Sequence, residues 1–226
     1  MAPDKTRAPL LKDRPLAAEL LKIDARIPGA EPLRYAAHFL ERGCVVAVPT
    51  DTVYGLAADP FNLAAVDEIF RVKGRPEERG LPLLVNSLAQ AEMLTRSMPQ
   101  NFVRLAMAFW PGALTLIVAA SHRVPLKVTA NTGRIAVRWP RNAVVEGLIA
   151  EFDGPVTGTS ANLSGQPPCS DADGVFLQLG ERLPLILDAG QTGATVPSTI
   201  VELHGEEWKI ARLGAISAAE IAAVLD

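Results

Sequence analysis

Apolar positions along the chain follow two periods, and the switches between them mark the elements. From Leu33 to Arg42 they recur at helical spacing, and Gly43 follows as a C-terminal stop. Cys44 to Val48 is an unbroken apolar run closed by Pro49, the signature of a strand buried on both faces. Asn62 stands where an N-cap is needed, ahead of Leu63, Val66, Ile69 and Phe70 at i, i+3 and i+4 steps. Leu83 to Val85 reads as the next strand. Ser87 with Gln90 forms a capping box that opens another helix, and residues 99–110 form a further one. Strands are predicted at Leu114 to Ala119, Ile135 to Val137 and Pro155 to Thr157, then a helix from Asp171 to Leu179. Strands at Leu185 to Leu187, Ile200 to Leu203 and Trp208 to Ala211 follow. Ser217 with Glu220 is a second capping box, before a terminal helix.

Helices and strands alternate at first, and strands cluster late. That order predicts an α/β domain with a mixed sheet rather than a purely parallel one. Residues 1–30 break the pattern: rich in Pro, Lys, Arg and Asp, they read as an extended N-terminal arm, in part disordered, with a short helix from Leu16 to Ala25. Residues 31–226 then form one domain.

Composition narrows the classes. At 49% hydrophobic over 226 residues the chain can fill a core, which excludes a disordered protein. No run approaches the roughly 20 apolar residues that span a bilayer, and the N-terminus has no apolar h-region, so a cytoplasmic protein without membrane contact is expected. Net charge −3, with 5% aromatics, argues against a dedicated nucleic-acid binder, although a local basic cleft with weak RNA contact is compatible with it. Cys44 and Cys169 form no CxxC pair, and His38, His122 and His204 fall in no metal-ligand spacing, so no protein-held metal is expected.

Standard catalytic signatures are missing. There is no Gly-Lys dipeptide for a Walker A loop, no GxGxxG and no HExxH, and Asn162 stands where the GxSxG elbow needs its last glycine. Four other segments put polar residues where a plain core would not. Thr50, Asp51, Thr52 and Tyr54 follow the first strand of the domain; they read equally as a ligand loop at a strand end or as a turn in which Asp51 caps local amides. Arg71, Lys73 and Arg75 close a helix, where cations offset its dipole, yet three in five positions also suit a triphosphate. Arg134, Ala136 and Arg138 share one strand face, opposite Ile135 and Val137, with Arg138 directed either to solvent or into a cleft. Thr157 to Gly165 holds four hydroxyls and one amide, as an ordinary loop or an adenylate cradle.

Taken in order, PTDTVYGL (49–56), KGRP (73–76), WPG (110–112), AVRWP (136–140), TSANLSG (159–165), STIVEL (198–203) and IARLG (210–214) closely resemble the YrdC-like family of threonylcarbamoyl-AMP synthases, over about residues 32–226. The resemblance is to the short form, without an extra C-terminal domain. It implies an open, twisted mixed sheet with flanking helices and a concave, positively charged face. It also implies a nucleotidyltransferase that makes threonylcarbamoyl-AMP and pyrophosphate from L-threonine, bicarbonate and ATP, with Mg²⁺ accompanying the ATP. A tRNA threonylcarbamoyl-transfer complex would then take the product. By the same resemblance Lys73 and Arg75 hold the ATP phosphates. Thr52, Arg138 and Ser198 contact threonine or bicarbonate, and Ser160, Asn162 and Arg212 contact ATP. The chain departs from the family's common pattern at Ala113, Asn86, Arg134 and Pro168. Two other readings are an RNA-binding module and a non-synthase paralogue of the same fold.

Overall fold

A computed structural model describes residues 17–193 and 196–225. Its elements run β1 (Glu19–Lys22), α1 (Ala30–Glu41), β2 (Val46–Val48), β3 (Gly55–Ala57), α2 (Leu63–Lys73), β4 (Leu83–Leu84), α3 (Leu88–Leu94), α4 (Gln100–Phe109), β5 (Leu114–Ala119), β6 (Arg134–Arg138), α5 (Ala143–Phe152), β7 (Val156–Thr157), β8 (Thr159–Ser160), α6 (Ala172–Leu179), β9 (Leu185–Asp188), β10 (Thr199–His204), β11 (Glu207–Arg212) and α7 (Ala218–Leu225). The mixed α/β class is as expected, and the strands divide into two sheets of order β1-β9-β2-β3-β8 and β11-β10-β5-β6-β4-β7.

Caps placed the helices where the residue types predicted. Asn62 accepts from the amides of Ala64 and Ala65, and Ser87 from Gln90. Ser217 and Glu220 exchange hydrogen bonds in the second capping box. Gly74 ends α2 in the left-handed region at φ 60°, which lets the chain turn sharply between Lys73 and Arg75.

The inner strands β2 and β9 of the first sheet are buried on both faces, which is why they read as continuous apolar runs. Alternation along β2 sends Val46 and Val48 toward a layer built from α1 and α5, while Val45 and Ala47 join the main core. Along β9, Leu185 and Leu187 follow Val46, and Ile186 follows Ala47.

The predicted helix from Leu16 to Ala25 is corrected within the described residues. Glu19–Lys22 is a strand that pairs in parallel with β9, Glu19 opposite Leu185 and Lys22 opposite Asp188. Neighbouring sheet hydrogen bonds outweigh the weak local preference of Glu-Leu-Leu-Lys for helix. The rest of the predicted arm, residues 1–16, lies outside the described residues.

The two sheets meet at one covalent step. β7 pairs with β4 in the second sheet and β8 pairs with β3 in the first, with Gly158 alone between them. The Gly158 amide donates to the Pro82 carbonyl at 2.8 Å. A Cβ at this position would lie 2.4–2.9 Å from the Leu84 side chain, so only glycine fits without displacement.

Candidate active site

Between the sheets lies a cleft of about 430 Å³, within the range of small-molecule sites. Its walls come from strand ends and the loops that follow them: Thr50 and Thr52 to Gly55 from the first sheet's β2–β3 turn, and Thr115, Ile117, Ala136 and Arg138 from β5 and β6. Four arginines, Arg75, Arg79, Arg138 and Arg212, line it, with no carboxylate among the described lining residues. Such a lining selects anions, because an unpaired anion gains most where several fixed cations converge in a confined space.

Arg138 is nearly buried, and protein groups hold it on three sides. Its Nε donates to the Gly112 carbonyl at 3.0 Å, Nη1 to Thr52 Oγ1 at 3.0 Å and Nη2 to Asp51 Oδ1 at 2.6 Å. Burial pushes its pKa down and Asp51 pushes it back up; a guanidinium remains charged throughout. Three of its five N–H donors are used, so one on each terminal nitrogen is left for a ligand. Thr52 is fixed in turn, its amide donating to Thr50 Oγ1 at 3.1 Å while Thr50 Oγ1 donates to the Val53 carbonyl at 2.7 Å. Asp51 therefore does not cap the local turn; Thr50 does.

Ser198 and Arg212 form a second polar group. Arg212 Nε and Nη2 donate to the Ser198 carbonyl at 3.2 and 2.8 Å, and Nη2 reaches Ser198 Oγ at 3.2 Å. Ser198 Oγ also lies 2.8 Å from Thr115 Oγ1. Burial lowers the Arg212 pKa, and the Arg138 charge adds to the effect. The third group is Arg75, whose terminal nitrogens donate to Thr159 Oγ1 and the Gly80 carbonyl, both at 2.9 Å. Burial and then Arg79 lower its pKa.

Thr52, Arg75, Arg138, Ser160, Ser198 and Arg212 are thus brought to one cleft from positions scattered over 160 residues of sequence. Lys73 and Asn162 are not among its lining. The buried Lys73 ammonium donates to the carbonyls of Ser160 and Asn162, the latter at 2.9 Å, and approaches Asn162 Oδ1 at 3.4 Å. The Ser164 amide returns a hydrogen bond to the Lys73 carbonyl at 2.8 Å. Asn162 Nδ2 donates to the carbonyls of Leu163 and Gln166 at 2.8 and 2.7 Å. Both side chains are spent on shaping the 160–166 loop, one layer behind the wall. Burial first, and Arg75 second, push the Lys73 pKa down to about 8.

Arg134 shares a strand face with Arg138 but leaves the cleft. Its Nη2 donates to the carbonyls of Ile117 and Leu203, and its Nε stands 3.0 Å from Glu202. Two lining groups escaped the sequence reading. Thr115 carried a legible signal, a hydroxyl inside the apolar strand Leu114–Ala119. Arg79 carried none, lying in a run of charged residues.

Among the described residues no group of three or more His, Cys, Asp or Glu side chains could hold a metal. With no carboxylate among the described lining residues, the cleft does not fit a resident Mg²⁺.

The chain is similar in sequence and fold to known proteins. A protein from Mycobacterium leprae is 40% identical over 196 residues, covering 87% of this chain and 89% of its own length. The threonylcarbamoyl-AMP synthase of Pyrococcus abyssi is 37% identical over 85% of this chain, and the match spans 57% of that longer protein. The crystal structure of P. abyssi Sua5 complexed with L-threonine superposes with a TM-score of 0.88 at 34% identity, covering 92% of this chain and 61% of that one. Residues 38–214 match the Sua5–YciO–YrdC family model, described as telomere recombination, and with so much of the chain inside that match the protein belongs to this family.

Proposed function

We propose that the protein is an L-threonylcarbamoyladenylate synthase, a nucleotidyltransferase that joins L-threonine, bicarbonate and ATP. The observation that carries this reading is the cleft itself: four arginines, no carboxylate, and hydroxyls of Thr52, Ser160 and Ser198 spaced between them. All three substrates bring anionic groups, and the relatives in the family are named for this activity.

The chemistry needs alignment and charge neutralisation more than a covalent nucleophile. The threonine amine, as the free base, forms a C–N bond to bicarbonate carbon, and water leaves to give a carbamate. A carbamate oxygen then bonds to the ATP α-phosphorus as the α–β bridging bond breaks, and pyrophosphate departs with that electron pair. Arg138, with two free N–H donors beside Thr52, is suited to grip the threonine carboxylate or the bicarbonate through paired hydrogen bonds. Arg75 faces the phosphate chain, with Lys73 holding the neighbouring Ser160–Asn162 loop in place. Arg212, anchored on Ser198, closes the nucleotide end. Mg²⁺ arrives with ATP and is held by phosphate oxygens.

In this reading the product passes to a tRNA threonylcarbamoyl-transfer complex, and the protein works in the cytoplasm, where ATP and tRNA are found. Among the described residues, no helix is long and apolar enough to cross a membrane. The test is to incubate the purified protein with MgATP, bicarbonate and L-threonine and to measure pyrophosphate. Release that depends on both threonine and bicarbonate supports the reading. Absence of threonine-dependent release from a folded protein rejects it, and RNA binding without that release would favour the RNA-binding alternative.

A further inference from the structure

We propose that Asp51 is the positioning residue of the threonine and bicarbonate site, fixing the plane in which Arg138 presents its two free donors. The inference rests on the synthase reading. Its support is geometric. Asp51 is not part of the cleft lining, yet its Oδ1 lies 2.6 Å from Arg138 Nη2, and both side chains are shielded from solvent. A guanidinium is planar, so its orientation is defined once its three nitrogens are each held. Here Nε is held by the Gly112 carbonyl, Nη1 by Thr52 Oγ1 and Nη2 by Asp51. Gly112 and Thr52 offer neutral acceptors; Asp51 is the charged one, and charge-assisted contacts are the shorter and stronger kind. Without it the ring of holds opens at the nitrogen that also carries one of the two remaining donors.

A second consideration separates positioning from simple charge balance. Asp51 also neutralises one of the cleft's four cations. If that were its whole contribution, removing its charge would strengthen the binding of anionic substrates, because the cleft would become more positive. Loss of position weakens binding instead. The two roles therefore predict opposite signs for the same variant.

The experiment uses Asp51→Asn, which keeps an acceptor oxygen and removes the charge, and Asp51→Glu, which keeps the charge and displaces it by one methylene. Steady-state pyrophosphate release is followed with each substrate varied in turn, and the melting temperature of each variant is recorded. Positioning predicts that KM for threonine or bicarbonate rises about tenfold in both variants, while KM for ATP changes less than about twofold. Should Asp51→Asn fail to fold, Asp51→Glu decides alone. A lower KM for threonine and bicarbonate in Asp51→Asn, with Asp51→Glu like the parent, would assign Asp51 to charge balance and overturn the inference. Unchanged constants in both variants, or an equal loss for all three substrates, overturn it as well. A parent protein with no threonine-dependent release removes the synthase reading itself, an outcome visible before any variant is made.

Discussion

Replacing Lys73 by Met tests whether its ammonium is a buried strut. In the fold the ammonium is held by the carbonyls of Ser160 and Asn162, and burial lowers its pKa from 10.5 to about 8. That fall corresponds to roughly 3 kcal/mol, at about 1.4 kcal/mol per tenfold change in proton affinity. The sign follows from proton counting. Between about pH 8 and pH 10.5 the unfolded chain keeps the Lys73 proton and the folded chain has released it, so stability rises with pH across that window. The contribution is fully present above the unfolded value and is lost as pH falls through the folded one. Met removes the titration and leaves the Asn162 carbonyl without its donor, at about 1–3 kcal/mol, while the Ser160 carbonyl keeps the Asn162 amide at 3.1 Å; relief from burying a charge offsets the loss at neutral pH. Near pH 7 the variant is therefore expected to be only modestly less stable than the parent. By about pH 10.5 the gap should have widened by roughly 3 kcal/mol. Urea unfolding of both proteins at steps across this range measures the gap directly, and the difference cancels groups common to both. Two stability curves that stay parallel would show that Lys73 titrates as a solvated lysine and is not a strut.

Other expectations bear on the cleft. Arg75→Ala should fold, since the position follows a helix end, and should lower kcat/KM about a hundredfold through loss of a phosphate-facing charge, checked by pyrophosphate release. In Arg138→Lys the ammonium has three donors where the guanidinium spends three on protein and keeps two, so KM for threonine or bicarbonate should rise about tenfold, about 1.4 kcal/mol, with KM for ATP moving much less. Activity should require Mg²⁺ and withstand a zinc-selective chelator; loss with the chelator that only zinc restores would contradict a cleft lined by arginines and hydroxyls.

Elements with a long period or a cap were legible from sequence. The helix after Asn62, the helix after Asp171 and the strand Leu114–Ala119 fall where pattern and capping residues put them. β3 and β8 were not legible, because Gly55-Leu56-Ala57 and Thr159-Ser160 lack the branched apolar runs that marked β2, β4 and β7. α5 was passed over although Asn142 caps it, accepting from Val144 and Val145; its sequence AVVEGLIAEF is apolar around most of its circumference, as befits a helix packed between α1 and a sheet. At the site, segment order pointed to the residues that converge, but not to depth. KGRP suggests two equivalent cations, whereas the left-handed turn at Gly74 sends Arg75 to the cleft and leaves Lys73 behind the wall. The partner of Arg138 was likewise invisible, since Asp51 reaches it only once two different sheets are brought edge to edge.

The step through Gly158 makes the cleft resemble a calliper with one fixed jaw. At that rim the sheets are tied by a single residue, braced by Thr157, whose amide and hydroxyl both bond into the first sheet at Ala58 and Leu56. No length of chain is available there to lengthen or shorten, so the gap at this rim is a constant of the scaffold. Room to adjust lies in the loops that line the cleft away from this step, the 74–81 turn that carries Arg75 and Arg79 and the approach to Ser198. A protein that reuses this scaffold for a larger or smaller anion would be expected to vary in length at those two places and to keep the glycine.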